Sequence, residues 1–268
     1  MQVIQEKTLP ADVNMLTEFW KRLSVAPSSV LLLDYDGTLA PFQMERHRAY
    51  PYPKVIPLLR NIVRRGKTRV AVITGRPIVE LKILLRPFNN IEIWGAHGLE
   101  RMLPDGSYRQ IAIDSESAEG LRQAKERMVE AGLAPLAEIK PGGIAIHWRG
   151  MPADERERVE ARLRESWAEI ADHPRLKLLK FEGGLELRVA HPDKGDAVNA
   201  IIEESDPNTP IAFLGDDITD EDSFRVLRDR GLTVLVRPEY RETSAKVWLK
   251  PPQELIEFLE EWVTKTSA

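Results

Sequence analysis

Ser29-Val30-Leu31-Leu32-Leu33-Asp34-Tyr35-Asp36-Gly37-Thr38 sets an unbroken apolar run against an abrupt change to carboxylates and glycine. A short run without polar alternation marks a strand covered on both faces, as in a parallel sheet, rather than a half-exposed hairpin strand. Ahead of it, residues 10–23 read as a helix with Leu16, Phe19, Trp20 and Leu23 on one side. Behind it, a helix over 54–65 closes at Gly66 and leads into a second apolar strand, Arg69 to Thr74. Gly75-Arg76-Pro77 then opens another helix, because the missing N–H of a proline is harmless in a first turn. Ile91 to Trp94 reads as a third strand. Strand, helix, strand, helix, strand in this order predicts a doubly wound parallel α/β sheet with right-handed crossovers.

The pattern changes after about residue 100. Pro104-Asp105-Gly106 signals a turn, followed by a charged helix at 115–131, a short strand at 144–148, a helix at 153–171 and strand pieces at 176–181 and 185–189. From there the α/β alternation resumes, with helices at 193–204, 220–230 and 252–264 and strands at 211–214 and 233–236. An insertion accounts for the interruption: a core of residues 1–104 and 191–268, and an inserted α+β domain at 105–190. That division suits a chain of 268 residues, long for one ordinary domain and short for two.

Composition narrows the chemistry. With 43% hydrophobic residues and 38 basic against 42 acidic side chains, the chain can bury a core, and it has no basic stripe for nucleic acid. The absence of cysteine excludes disulfide scaffolds, thiol nucleophiles and cysteine-ligated zinc or iron–sulfur sites, while leaving oxygen-ligated metals open. The longest apolar runs, Val30 to Leu33 and Val70 to Ile73, fall far short of the roughly 18–20 residues a membrane span needs. The N-terminal stretch MQVIQEKTLPADVN has no basic patch followed by an apolar segment, so no signal peptide is expected and the cytoplasm is the default location.

In open α/β sheets, ligands sit beyond the carboxyl ends of the strands. Three expected strand ends carry polar groups there: Asp34-Tyr35-Asp36-Gly37-Thr38, Thr74-Gly75-Arg76, and Gly215-Asp216-Asp217-Ile218-Thr219-Asp220; Lys194 begins a helix leading to the last of these. Carboxylates gathered at one sheet edge repel one another unless a cation shares the site, and Mg²⁺ with oxygen ligands from Asp34, Asp36 and Asp216 is the natural solution. Asp34 beside such an ion can attack phosphorus, and Asp36 can protonate the leaving alkoxide and then deprotonate water. Thr74, the N–H groups around Gly75, and Lys194 suit the phosphate oxygens. Taken singly, each piece also has an ordinary structural reading: Asp-x-Asp-Gly as a turn, the 216–222 aspartates as a helix N-terminus, Lys194 as a solvated charge.

At these residues the chain resembles the haloacid dehalogenase-like phosphatases, through DYDGT, Thr74, Lys194 and GDDITD. Within them, DYDGTLAPF, ITGRP, GAHGLE, ELR…DKGDAV and GDDITDEDSF are similar to trehalose-6-phosphate phosphatases. The resemblance implies a Mg²⁺-dependent phosphomonoesterase with Asp34 as nucleophile and Asp36 as general acid/base. It further implies a metal held by the Asp34 carboxylate, the Asp36 backbone carbonyl and Asp216, with Asp217 and Asp220 supporting that shell. The insertion becomes a cap that closes over the sugar, with Arg76, Glu138, Lys140, Glu186 and Arg188 as sugar-recognition candidates and His97 as a hinge residue. Phe181-Glu-Gly-Gly184 departs from the resemblance, since family members often carry lysine there. A sucrose-phosphate or mannosyl-3-phosphoglycerate phosphatase remains the alternative, as does a non-catalytic sugar-phosphate-binding module paired with a trehalose-6-phosphate synthase.

Overall fold

The computed structural model describes residues 10–43, 45–86, 88, 90–181 and 183–267. The N-terminal stretch through Leu9 and the expected role of Glu182 in the Phe181–Gly184 hairpin lie outside the described residues.

The elements follow one another as α1 (Pro10–Val25), β1 (Ser29–Leu33), α2 (Val55–Arg64), β2 (Thr68–Ile73), α3 (Ile78–Leu84), β3 (Glu92–Gly95), β4 (Glu100–Met102) and β5 (Tyr108–Gln110). Then come α4 (Ser115–Glu130), β6 (Ala137–Lys140), β7 (Gly143–His147), α5 (Ala153–Ala171), β8 (Leu176–Phe181) and β9 (Gly184–Val189). The chain ends with α6 (Lys194–Glu203), β10 (Ile211–Gly215), α7 (Glu221–Leu227), β11 (Leu232–Val236), β12 (Val247–Leu249) and α8 (Gln253–Lys265).

The first sheet has the order β12-β11-β10-β1-β2-β3-β4-β5, parallel from β12 to β3. Alternation along β1 explains its all-apolar sequence. Leu31 and Leu33 pack with α1, α2, α3 and α8 through residues such as Phe19, Leu59, Leu81 and Trp262, whereas Val30 and Leu32 pack with α6 and α7 through Val198, Ile201 and Phe224. The chain runs outward from β1 to β3, then returns to the other flank of β1 at β10. The carboxyl ends of β1 and β10 therefore form a switch point where the crossovers diverge and leave a crevice.

Two features extend the expected sheet. The β4–β5 hairpin pairs antiparallel with β3, so the core sheet runs through Gln110, beyond residue 104. On the opposite edge, β12 pairs parallel with β11, although no strand was expected at 247–249.

The second sheet is antiparallel, in the order β6-β7-β9-β8. One face packs on α4 and α5: Ile144, Ile146, Leu185 and Leu187 meet Met128, Leu163 and Trp167, whose indole donates to the Ala124 carbonyl at 2.9 Å. The register puts the alternate residues on the other face in rows, Glu138–Ala145–Glu186 and Lys140–Gly143–Arg188. Small residues in the middle of each row leave a trough between charged flanks. This is an α/β fold with an inserted α+β cap. No described helix is long and apolar enough to cross a membrane.

Candidate active site

The turn after β1 is built so that two carboxylates leave the core together. Asp34 and Asp36 flank Tyr35, whose side chain is fully buried and donates its hydroxyl to the Ala49 carbonyl at 2.7 Å. Pinning the residue between them points both aspartates the other way, toward the crevice. Gly37 follows with φ of +85°, and a Cβ there would collide with the Asp216 carboxylate. Glycine is thus required for both the left-handed turn and the approach of the third motif.

A capping box places Lys194: the Asp193 side chain accepts from Asp196 N–H, the Asp196 side chain from Asp193 N–H, and Lys194 is the first helical residue of α6. Its ammonium is buried and lies 2.6 Å from Asp34 Oδ1 and 2.7 Å from Asp220 Oδ1. Asp220 spends its other oxygen on the N–H groups of Asp216 and Asp217, both at 3.0 Å, which folds the GDDITD loop back on itself. Burial alone would lower the Lys194 pKa, but Asp220 and Asp34 outweigh it and hold the group well above its ordinary value.

What remains is a set of buried oxygens with no protein donor: Asp34 Oδ2 and both carboxylate oxygens of Asp216. Asp34, Asp216 and Asp220 each offer an oxygen within 4.8 Å of the others. Burial, then the Asp34 and Asp220 charges, raises Asp216 well above its ordinary pKa; burial, opposed by Lys194, raises Asp34 to about 7. One lysine does not neutralise three buried carboxylates. The orphaned oxygens and the hard donor set fit a divalent cation.

This has a pH signature. Both pKa values are raised in the fold, so in metal-free protein their stabilising contribution is complete below the ordinary carboxylate value of 3.8; Asp34's is lost as pH rises through about 7. A divalent cation reverses the trend because it binds the ionised pair. His97 acts oppositely: burial lowers its pKa from 6.5 to about 3, so its contribution falls as pH drops. The shift in melting temperature on adding Mg²⁺ separates the two effects. It should be larger at about pH 8 than at about pH 5.5, as differential scanning fluorimetry with and without chelator would show.

Thr74 is buried at the end of β2 and its hydroxyl accepts from Arg76 N–H at 3.2 Å. Gly75 has no room for a side chain, since a Cβ would meet the His97 ring. Arg76 lines the cavity and is committed to Asp36. Its Nε and Nη2 donate to the two Asp36 carboxylate oxygens, both at 2.6 Å, in a bidentate pair.

The trough of the second sheet faces these groups across a shared cavity. Among the sequence-predicted residues, Asp34, Asp36, Thr74, Gly75, Arg76, Glu138, Lys140, Glu186, Lys194, Asp216 and Asp217 line it. Lys140 Nζ lies 2.7 Å from Glu186 Oε1 and donates to the Gly75 carbonyl at 3.3 Å, tying the second sheet to the Thr74 loop. Glu186 is also 3.2 Å from His97 Nε2. Burial, opposed by Glu186, lowers the Lys140 pKa, while Lys140 and His97 overcome the burial that would raise Glu186 and hold it well below its ordinary value. Arg188 is not among the lining residues; it is buried one row away and donates to the Val189 carbonyl at 3.2 Å.

Further lining residues escaped the sequence reading: Phe42, Arg46, His147, Arg149, Phe181 and Thr219. His147 Nε2 donates to Glu138 Oε2 at 2.8 Å, and Arg149 stacks over Phe42 and donates to the Gln43 carbonyl at 2.9 Å. Phe42 closes the DYDGTLAPF stretch, whereas nothing local marks Arg46, which enters the cavity from the loop between β1 and α2 through tertiary packing alone.

A family model described as trehalose-phosphatase matches residues 32–252. The chain is 30% identical to probable trehalose-phosphate phosphatase H of Arabidopsis thaliana, over 95% of this chain and 77% of that protein. It superposes on the C-terminal domain of trehalose-6-phosphate phosphatase from C. albicans with a TM-score of 0.81 at 18% identity, covering 98% of this chain and 99% of that one. A haloacid dehalogenase-like hydrolase from B. subtilis shares the fold at a TM-score of 0.62 and 17% identity, over 87% of this chain and 99% of that one.

Proposed function

The chain belongs to the trehalose-phosphatase family, and on that footing we propose that Asp34 and Asp36 hydrolyse trehalose 6-phosphate through an aspartyl-phosphate intermediate. The observation that carries this mechanism is the Asp34–Lys194–Asp220 cluster at the switch point, with Asp34 Oδ2 left without a protein donor and facing the cavity.

The Asp34 carboxylate attacks phosphorus in line; its bond to phosphorus forms as the bond from phosphorus to the sugar oxygen breaks, and Asp36 gives that oxygen its proton. Asp36 then takes a proton from water, which attacks the same phosphorus; phosphate leaves and Asp34 is restored. Thr74, the Gly75 N–H and Lys194 hold the phosphate oxygens during both displacements. Mg²⁺, held by Asp34, Asp216 and the Asp36 carbonyl with Asp217 and Asp220 in support, would neutralise charge between phosphate and carboxylate. Glu138, Lys140 and Glu186 read the sugar hydroxyls, for which carboxylates accept and an ammonium donates. The cap spans about residues 111–190 on this reading, closing over the disaccharide and excluding water. On this reading Arg76 serves Asp36, and Arg188, on the same sheet face as Lys140, stands beside the cavity and not in it. The reading extends to a cytoplasmic location and to functional pairing with a trehalose-6-phosphate synthase.

Acid quenching during the first turnover, followed by peptide mapping, tests the intermediate. The phosphoryl group should sit on the peptide carrying Asp34; label on another residue, or none at any quench time while turnover proceeds, would overturn it.

A further inference from the structure

Arg241 lies in the 237–246 segment that joins β11 to β12, outside every motif quoted above, and it is not among the residues lining the cavity. Its guanidinium nevertheless ends on the loop that carries Asp216. Nε donates to the Asp216 carbonyl at 3.2 Å and Nη2 to the Asp217 carbonyl at 2.7 Å, while Nη1 pairs with Glu221 Oε1 and donates to the Glu242 carbonyl at 2.9 Å. Glu221, in the first turn of α7, also accepts from the Thr243 hydroxyl at 2.7 Å and from the Ser244 N–H at 2.9 Å, which fixes the segment that delivers Arg241. Arg237 adds a longer donation to the Asp216 carbonyl at 3.4 Å. A planar fork of N–H donors suits this task, because one side chain reaches two carbonyls and a carboxylate at once.

Together with Asp220, Arg241 engages both the donors and the acceptors of two consecutive residues. The N–H groups of Asp216 and Asp217 go to Asp220 Oδ2, and their carbonyls go to Arg241. What Asp216 has left is a buried carboxylate with neither oxygen bonded to a protein donor. That carboxylate shares a space with Asp34 and Asp220, an oxygen of each within 4.8 Å of the others, and like charges at that range push apart. Its backbone must hold it in place. A cation that meets ligands already in position loses less to ordering them than one that has to gather them. We propose that Arg241, seated by Glu221, is a positioning residue that fixes Asp216 for a divalent cation and so sets the affinity of the site for that ion. Arg241 touches no reacting atom; it acts through the backbone of residues 216 and 217. The proposal rests on Asp216 serving as a metal ligand.

The test titrates MgCl₂ into the full chain, stripped of metal and free of substrate, by isothermal titration calorimetry well below the melting temperature. It compares Arg241→Met, Arg241→Lys, Glu221→Gln, Asp216→Asn and Leu259→Ala. Arg241→Met should weaken Mg²⁺ binding by about 10-fold or more, the scale seen when a group that orients a metal ligand is removed. Arg241→Lys keeps the charge without the fork and should fall between that variant and wild type. Glu221→Gln exchanges a charge-assisted hydrogen bond for a neutral one and should weaken binding by about 3-fold, which keeps the test open even where Arg241→Met folds poorly. Leu259, fully buried on α8 in the core, supplies the control: its truncation should lower the melting temperature by several degrees and leave the Mg²⁺ Kd within about 2-fold of wild type. A wild-type Kd in Arg241→Met or Glu221→Gln, or an equal weakening in Leu259→Ala, would overturn the proposal. So would tighter binding in Arg241→Met, which would mean that the guanidinium acts on the ion only as a repelling charge. Unchanged Mg²⁺ binding in Asp216→Asn would instead overturn the metal assignment on which the proposal rests.

Discussion

Asp34→Asn is expected to lower phosphate release from trehalose 6-phosphate by about 10⁴-fold or more, the scale of loss when a covalent nucleophile is removed. An asparagine keeps the volume of the side chain but offers no anionic oxygen to attack phosphorus. Its amide also presents N–H donors in a pocket whose other occupant is an ammonium, since Lys194 Nζ stands 2.6 Å from Asp34 Oδ1. The fold should not suffer. Asp34 carries a pKa raised to about 7 by burial, so without metal its charge opposes folding at neutral pH and its removal relieves that cost. Phosphate release and thermal melting measured together check both halves: activity lost, with a metal-free melting temperature at or above that of wild type. Retained turnover in a folded Asp34→Asn would contradict the assignment.

Lys194→Met should be the most damaging single change to stability among the site residues. The ammonium is 3% exposed and bridges Asp34 and Asp220 at 2.6 and 2.7 Å. Removing one member of a buried ionic cluster costs roughly 3–5 kcal/mol, because its partners are left charged and unpaired. At roughly 2–3 °C per kcal/mol for a chain of this size, that is a fall in melting temperature of about 6–15 °C. The deficit should shrink toward acid pH, where the orphaned carboxylates protonate, and Mg²⁺ should recover part of it at neutral pH. Asp220 also anchors the Asp216 and Asp217 N–H groups, so turnover should fall with the loop's order. A melting temperature within a degree or two of wild type would show that the cluster is not the keystone described here.

The central strands were legible because burial on both faces leaves its own signature: Val30 to Leu33 and Val70 to Ile73 have no polar side to show. Edge elements lack it. β12 is three residues long with a half-buried Trp248, and nothing in Val247-Trp248-Leu249 distinguishes a parallel edge strand from a loop. The β4–β5 hairpin carried its turn signal at Asp105-Gly106, but a turn does not say which sheet its strands join, so the first sheet ran farther along the chain than the sequence suggested.

The aspartates could be found because each sits in a local pattern at a strand end. Direction was harder. Glu186 and Arg188 are two apart on β9 and share a face, yet only Glu186 reaches the cavity, because the reach depends on what the Thr74 loop and His97 place opposite. Arg76 entered as a sugar candidate through the resemblance alone, and sequence could not show that its guanidinium pairs with the carboxylate one motif earlier in the chain, across 40 residues. Arg46 had no local signal at all.

One initial-rate comparison bears most directly on the account: phosphate released from trehalose 6-phosphate, sucrose 6-phosphate and glucose 6-phosphate, each with Mg²⁺ and with chelator. Turnover should be fastest on trehalose 6-phosphate and should vanish with chelator for all three. Equal rates on the three sugars, or release that persists without a divalent cation, would contradict it.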